Sequence, residues 1–198
     1  MGLGTKNKGF SKEQIEKIGN AIIYIAKEVS DLNKTKILKI LFLFEEASIK
    51  KYGTPFFGIN FQLWVRGPVA KDIFIDLSDD SPSMLKDYIK KEPENTFVSI
   101  KDFNDDEFSD NDVDIMNLVL DFAKQKKATT LVNHLHGKNS LWRKSAIKYG
   151  VLEQLLNEEV NNTDYEVDFS LLFEKNSYLL ERFQDSVENN EFARQLKD

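Results

Sequence analysis

Two long segments near the start of the chain carry the hydrophobic pattern of helices. The first predicted helix covers residues 12–29, and its apolar positions recur at intervals of three and four residues: Ile15, Ile18, Ile22, Ile25 and Val29. Ser11 and Gln14 form the pattern of a capping box at its start. The second predicted helix, residues 34–52, is apolar at almost every position from 37 to 44 and ends at Gly53, with Pro55 just beyond.

The apolar run at 37–44 is far shorter than the roughly 20 residues that cross a bilayer, and a helix that is apolar all round is typical of a protein core. We therefore expect a buried helix here and no membrane anchor.

The middle of the chain predicts strands and short helices. Apolar and polar residues alternate from Ile59 to Val65, which indicates a strand that ends at Gly67–Pro68. Pro68 suits the first turn of a helix, so a short helix is predicted over residues 69–77. A further short helix is predicted over 83–91, and a second strand over 96–100, antiparallel to the first.

The rest of the chain predicts helices almost throughout. Ser109 is the expected cap of a long helix to about residue 126, and Ser140 of a helix that starts near Trp142. Other helices are predicted at 129–135 and 152–158, and from 169 onward in two segments meeting near Asn176. A break is expected at 161–164.

These elements predict an α+β, mainly α-helical fold: a helical domain with a small antiparallel β-sheet and C-terminal helices. The predicted domain covers residues 11–150. Residues 151–198 are predicted to be an acidic C-terminal helical extension packed on the same domain.

The composition excludes several kinds of chemistry. The 198 residues include no cysteine, so disulfides, thiol nucleophiles and iron–sulfur clusters are excluded. The chain starts without the apolar run of a signal peptide, and a cytoplasmic protein is expected. The two histidines, His134 and His136, lack a third ligand at motif spacing, and no nucleophile or phosphate-loop motif occurs. We expect no enzyme, no cofactor and no metal.

Charge is distributed in blocks. Residues 102–114 carry seven acids and no base, residues 122–150 carry seven bases and no acid, and residues 151–198 carry twelve acids and four bases. One interpretation is that the opposite blocks attract each other within the fold.

The other interpretation is that the basic block contacts nucleic acid, because aromatic residues beside cations can stack on bases, and Trp142 and Tyr149 lie in this block. Nucleic-acid binding is the weaker interpretation, since the apolar residues of the basic block are expected to pack on the core: Leu131, Leu135, Leu141 and Ile147.

Two pairs of side chains indicate a protein-binding face. Lys36 and Lys39 share one face of the second helix, and their stems could lie on apolar surface while the ammonium groups reach water. Trp64 and Arg66 share one face of the first strand, and both residue types are frequent at binding hot spots. The alternative is an amphipathic border around the core.

Four motifs, spread over about residues 14–148, resemble those of one family. Residues 36–42 fit K-L-x-K-L-L-Y with Phe42 in place of Tyr, and residues 52–55 fit Y-G-x-P. Residues 64–69 resemble W-x-Y-G-P-V, with Arg66 where Tyr is usual, and 136–142 resemble H-x-x-x-S-P-W, with Leu141 in place of Pro. The chain thus resembles the Panacea domain family, which comprises SocA-like antitoxins and phage-associated GepA-like proteins.

The resemblance implies a non-enzymatic antitoxin that neutralises a cognate toxin by direct binding. Toxins paired with the family include translation-blocking small-alarmone-synthetase-like enzymes. In one type the family member is an adaptor that delivers its toxin to a cytoplasmic AAA+ protease. A phage-associated protein that binds nucleic acid is the less favoured alternative.

The partner-binding candidates combine these motif residues with two acids of the extension: Lys36, Lys39, Trp64, Arg66, His136, Trp142, Glu158 and Glu159. Gly53, Pro55, Gly67 and Pro68 are expected to be structural. A toxin that acts on tRNA or nucleotides has a basic site, so the acidic faces 102–114 or 151–198 could dock against it. Charge reversal at Glu158 and Glu159, or at 105–107, is then expected to weaken neutralisation.

Overall fold

The computed structural model describes residues 9–173 and 177–196. Its helices are α1 (Lys12–Glu28), α2 (Lys34–Tyr52), α3 (Lys71–Asp76), α4 (Asp110–Ala123), α5 (Ala128–Leu135), α6 (Leu141–Lys148), α7 (Leu152–Leu156) and α8 (Tyr178–Leu196), with a 3₁₀ helix at Phe169–Leu172. Its strands are β1 (Gln62–Trp64), β2 (Gly67–Val69), β3 (Ile89–Lys91), β4 (Phe97–Ser99) and β5 (Asn162–Glu166). This is the predicted α+β, mainly α-helical fold with a small antiparallel sheet.

Helices α1 and α2 confirm the predictions made from periodicity and caps. Ser11 and Gln14 exchange the two hydrogen bonds of a capping box at the start of α1. Asn33 caps α2, and Gly53 ends it in the left-handed conformation at φ 66°. Helix α2 is buried continuously from Lys36 to Glu45, and α1, α4, α5 and β2 pack around it. The predicted core helix is therefore confirmed.

A three-stranded antiparallel sheet lies against α2 in the order β2–β1–β5. Strands β1 and β2 form a hairpin whose turn is Val65–Arg66, and Pro68 faces Leu63 across it. The predicted helix start at Pro68 is wrong, because Pro68 belongs to β2 and α3 begins only at Lys71. Proline is tolerated in β2 because this strand forms an edge of the sheet.

A second, two-stranded sheet pairs β3 with β4. The strand predicted at 96–100 is confirmed as β4, but its partner is β3 and not β1. The helix predicted at 83–91 is wrong. The buried carboxylate of Asp76 accepts hydrogen bonds from the backbone N–H groups of Ser83 and Met84 at 2.8 Å and of Leu85 at 3.1 Å, and holds this segment as a turn before β3.

The later part of the chain contains one strand that the sequence did not predict. Strand β5 starts inside the expected break at 161–164 and pairs with β1, so the sheet joins both sides of the predicted boundary at residue 150. That boundary stays a prediction. Helix α8 packs on the end of α2, since a Cβ added to Gly53 would lie 2.9 Å from the Leu179 carbonyl oxygen. The junction predicted near Asn176 lies outside the described residues.

Within the described ranges, no helix is long and apolar enough to cross a membrane.

Candidate partner-binding site

Lys39 lies in the middle of α2 and is almost fully buried, with 1% of its surface exposed. Its Nζ donates a hydrogen bond to the carbonyl oxygen of Pro68 at 2.8 Å. Loss of hydration lowers the pKa of Lys39 to about 7, because burial penalises the charged ammonium. This lysine therefore joins the core helix to strand β2, and its charged form is less stable than that of an exposed lysine.

Gly67 brings the backbone of the hairpin close to two polar side chains. Its φ is 94°, a conformation that L-residues rarely adopt. A Cβ built there would lie 3.4 Å from Lys39 Nζ and 3.7 Å from His136 Nε2. The glycine thus permits the turn conformation and lies between the lysine and the histidine.

His136 and Trp142 pack against the buried side of the hairpin. Their rings stack with centroids 4.2 Å apart and 11° between planes. The fully buried Trp142 donates from its indole Nε1 to the carbonyl oxygen of Trp64 at 3.1 Å. Among the described residues, no group within hydrogen-bonding reach satisfies the buried Nε2 of His136. Burial, and then the nearby charges of Lys39 and Arg143, lower the pKa of His136.

Three of the four family motifs therefore meet in one place. We call this set the hairpin anchor, and it consists of Lys39, Gly67, Pro68, His136 and Trp142. The anchor lies on the buried side of the hairpin, where it fixes the end of β1 and the turn that follows this strand. The sequence pattern placed these residues far apart, and only the fold brings them together.

Trp64 and Arg66 lie at the end of the hairpin that the anchor supports. Trp64 is half-buried and packs edge-on against Phe74, with ring centroids 4.8 Å apart, whereas Arg66 is exposed in the turn. Val65, which lies between Trp64 and Arg66, donates its N–H to the carbonyl oxygen of Asn161 at 2.9 Å. The hairpin turn therefore lies beside the segment that connects α7 to β5.

That connecting segment carries the two acidic candidates. Glu158 and Glu159 are both exposed, and Glu158 holds a left-handed φ of 57° just after α7. We define the hairpin-end surface as Trp64, Arg66, Glu158 and Glu159. The structure brings these four predicted residues to the same end of the sheet.

Lys36, Lys39 and Trp142 are not part of that surface. Lys36 is 2% exposed and forms an ion pair with Asp31, whose pKa is lowered by this hydrogen bond. The expectation that both ammonium groups reach water is wrong, because one pairs with a carboxylate and the other with a carbonyl. Lys39 and Trp142 can act on a partner only by positioning the hairpin, whereas Lys36 is bonded to Asp31, just before α2.

Glu45 directly follows the apolar run of α2 and is 1% exposed. Its carboxylate accepts hydrogen bonds from the N–H groups of Phe57 at 2.7 Å and Gly58 at 3.2 Å. Burial raises its pKa to about 7, against the effect of these hydrogen bonds and of Lys17. Glu45 thereby fixes the loop that follows Gly53 and Pro55. The signal that could have found it is an acid directly after the apolar run of α2.

The basic block at 122–150 is divided among the end of α4, α5 and α6. Leu131, Leu135 and Leu141 are buried as predicted, but Ile147 is 59% exposed. Trp142 is buried and cannot stack on a base. Lys148 pairs with Asp168, which supports the interpretation that opposite charge blocks attract each other within the fold.

Two further predictions concern metals and the other acidic cluster. Over the described ranges, no group of three or more His, Cys, Asp or Glu side chains could hold a metal ion. The acids at 105–107 lie in the loop before α4, where Asn104 donates its N–H to Asn20 of α1 at 3.1 Å. This loop adjoins α1, whereas the hairpin-end surface belongs to the sheet.

The comparisons with known proteins agree with the motifs. No curated protein and no solved structure matches the chain. The model of the family described as antitoxin SocA-like, Panacea domain, matches residues 37–143, which extend from α2 into α6 and contain the whole hairpin anchor and its turn. This match covers more than half of the chain, and the chain therefore belongs to the SocA-like antitoxin, Panacea domain family.

Proposed function

We propose that this chain is an antitoxin that neutralises a cognate toxin by binding it directly through the hairpin-end surface. One observation carries the proposal: three of the four family motifs converge on a buried anchor directly beneath an exposed turn. Such an arrangement fixes a surface in one conformation. A pre-organised surface binds with a smaller loss of conformational entropy, so its contacts contribute more to affinity.

The exposed residues of this surface suit protein recognition. Trp64 and Arg66 are residue types that supply much of the binding energy at interfaces. Glu158 and Glu159 add negative charge in the segment that the turn contacts through Val65 and Asn161, and negative charge speeds association with a basic partner. A toxin with a basic tRNA- or nucleotide-binding site, such as a small-alarmone-synthetase-like enzyme, has the complementary charge.

The action we propose is binding without turnover, in the cytoplasm. The hairpin anchor supports a positioning role, because Lys39 and Trp142 are directed at backbone carbonyl oxygens of the hairpin itself. An adaptor that presents the toxin to a AAA+ protease would use the same first step, the capture of the toxin on this surface.

Growth of cells that express the neighbouring open reading frame, with and without this chain, tests the function. We expect arrest by the neighbour alone and growth when this chain is present. Persistent arrest with folded chain present would contradict the proposal. Rescue that survives in a host lacking the AAA+ protease indicates masking, whereas rescue lost there indicates the adaptor mechanism.

Two matched charge reversals test the surface. The double variant Glu158→Lys, Glu159→Lys is expected to weaken toxin binding by at least about tenfold at physiological salt, because close opposite charges at interfaces contribute in this range. Asp105→Lys, Asp106→Lys changes the charge equally in the loop before α4 and is expected to leave binding unchanged. Equal loss in both pairs would show that net charge matters and the surface does not.

A further inference from the structure

Strand β5 forms an uncovered edge of the three-stranded sheet. The opposite edge strand, β2, is buried along its length and packs on α2 and α5. In β5, by contrast, four of the five residues are exposed and Thr163 is intermediate. An uncovered edge strand carries backbone groups that can pair with another strand.

The hydrogen bonds between β1 and β5 determine which backbone groups of β5 point away from the sheet. Val65 donates its N–H to the Asn161 carbonyl oxygen at 2.9 Å, and Val167 donates to the Phe61 carbonyl oxygen at 2.7 Å. Asn161 and Val167 therefore face β1. The register of β1 and β5 shifts between the pairs Trp64–Asn162 and Gln62–Glu166, so the opposite orientation of successive backbone groups holds only for direct neighbours. Asn162 follows Asn161 and Glu166 precedes Val167, so the N–H and C=O groups of Asn162 and Glu166 point to the open edge.

The charge on this edge is negative. Asp164 and Glu166 lie in the strand, and Glu158 and Glu159 precede it, all of them exposed. Lys71 approaches Asp164 at 3.9 Å, but the Asp164 side chain stays 94% exposed, so this pair neutralises little of the charge.

An aromatic pair lies next to the strand. Tyr165 of β5 stacks on Tyr149 at the end of α6, with centroids 4.9 Å apart and 14° between planes. Tyr165 is still 47% exposed. Apolar contact area is thus available beside the backbone groups and the acids.

We propose that β5 binds an extended basic segment of the toxin as an added antiparallel or parallel strand. Main-chain hydrogen bonds to Asn162 and Glu166 would supply the pairing, and alternate Lys or Arg side chains would face Asp164 and Glu166. This inference deepens the proposed function, because the segment belongs to the toxin and β5 continues directly from the hairpin-end surface.

A second copy of this chain is the less suitable occupant. Pairing of β5 with another β5 would place acids against acids, and like charges across two strands are destabilising. A basic strand reverses the sign of this interaction. The charge on the edge therefore disfavours pairing of β5 with a second copy of this chain and favours pairing with a basic partner.

Amide hydrogen exchange of the purified full chain tests the site without knowledge of the toxin. The probe is a six-residue blocked peptide of alternating lysine and valine, at concentrations on the order of 1 mM, where weak strand pairing is populated. We expect exchange at the amides of Asn162 and Glu166 to slow by at least about tenfold. The same peptide with glutamate in place of lysine is expected to have no effect.

A matched pair of variants separates backbone pairing from charge. Glu166→Pro and Glu166→Ala both lose the carboxylate and its hydrogen bond from Asn60, but only the proline variant loses the outward N–H. We expect the proline variant to bind the lysine peptide about tenfold more weakly than the alanine variant, as for the loss of one or two backbone hydrogen bonds. If the proline variant fails to fold, Asn162→Pro against Asn162→Ala repeats the comparison at the other outward amide.

The outcomes separate this inference from the proposed function. Unchanged exchange at both amides with the lysine peptide overturns strand addition, even if the chain rescues growth. Slower exchange without rescue of growth supports the strand site and removes the antitoxin proposal. Equal binding by the proline and alanine variants shows that the acids attract the peptide without strand pairing, which also overturns the inference.

Discussion

Lys39 Nζ donates a hydrogen bond to the carbonyl oxygen of Pro68 at 2.8 Å, in a site from which water is excluded. The bond joins the central helix to the hairpin that carries Arg66. Burial makes the charge on Lys39 costly and lowers its pKa to about 7. The stability of this connection therefore depends on pH.

The Lys39→Met variant should remove part of that dependence. Between pH 7 and about 10, the unfolded chain holds a proton on Lys39 that the folded chain does not, so the free energy of unfolding should rise with pH. The contribution is at most about 1.4 kcal/mol per pH unit. Denaturant unfolding at several pH values should show a flatter curve for Lys39→Met over this range. Parallel curves for the two proteins would mean that Lys39 stays charged in the fold.

Gly67→Ala should destabilise the hairpin. The φ of 94° is strained for alanine, at a cost of about 1–3 kcal/mol, and the new methyl group would contact Lys39 and His136. Gly150→Ala is the matched control, because its φ is 70° and no heavy atom lies within 4 Å of the added Cβ. We expect both variants to lower the melting temperature and only Gly67→Ala to weaken toxin neutralisation. Equal loss of neutralisation in Gly67→Ala and Gly150→Ala would mean that Gly67 matters for stability alone.

Two substitutions at Trp142 should separate its hydrogen bond from its volume. Trp142→Phe keeps a ring against His136 but leaves the Trp64 carbonyl oxygen without its indole donor, at a cost of about 1–3 kcal/mol. Trp142→Ala also creates a cavity and should cost about 3–5 kcal/mol. Thermal or denaturant unfolding measures both. A loss in Trp142→Phe as large as in Trp142→Ala would mean that the ring itself contributes little.

Arg66→Glu should weaken toxin binding by at least about tenfold without a change in melting temperature, since the side chain is exposed in a two-residue turn. Lys138→Glu makes the same change of charge at another exposed position, after α5, and serves as the control. Isothermal titration with the purified toxin gives the affinities. Similar affinities for the two variants would exclude Arg66 from the interface.

Local signals explain which parts of the fold could be predicted. Helix α1 has a capping box and a 3.6-residue period, and α2 has a capping residue, a continuous apolar run and a glycine stop, so each helix is specified by residues close in sequence. The 83–91 segment also looks helical locally, but the carboxylate of Asp76 captures its backbone N–H groups. Strand β5 has no alternating pattern, because it is exposed on both faces and only its pairing with β1 makes it a strand.

The site could be predicted in part. Its residues were found through the family motifs, but their roles were assigned by residue type, and lysine is ordinarily a surface residue. Lys36 and Lys39 are buried because Asp31 and the Pro68 carbonyl oxygen come from other elements to meet them. Arg66 is exposed because a hairpin turn forms at Val65–Arg66, where the end of a strand was predicted. These roles depend on bonding partners in other elements of the fold, and a local stretch of sequence does not show which partners will meet.

The contact between Gly53 and Leu179 has a consequence for the order of assembly. Helix α2 and the loop after it are synthesised early, whereas α8 leaves the ribosome after every other described helix. A contact between such distant segments forms late, because a long loop must close first. The nascent chain can therefore build the hairpin anchor while the surface around Gly53 still lacks α8, and the final packing of that end must wait until α8 has been synthesised.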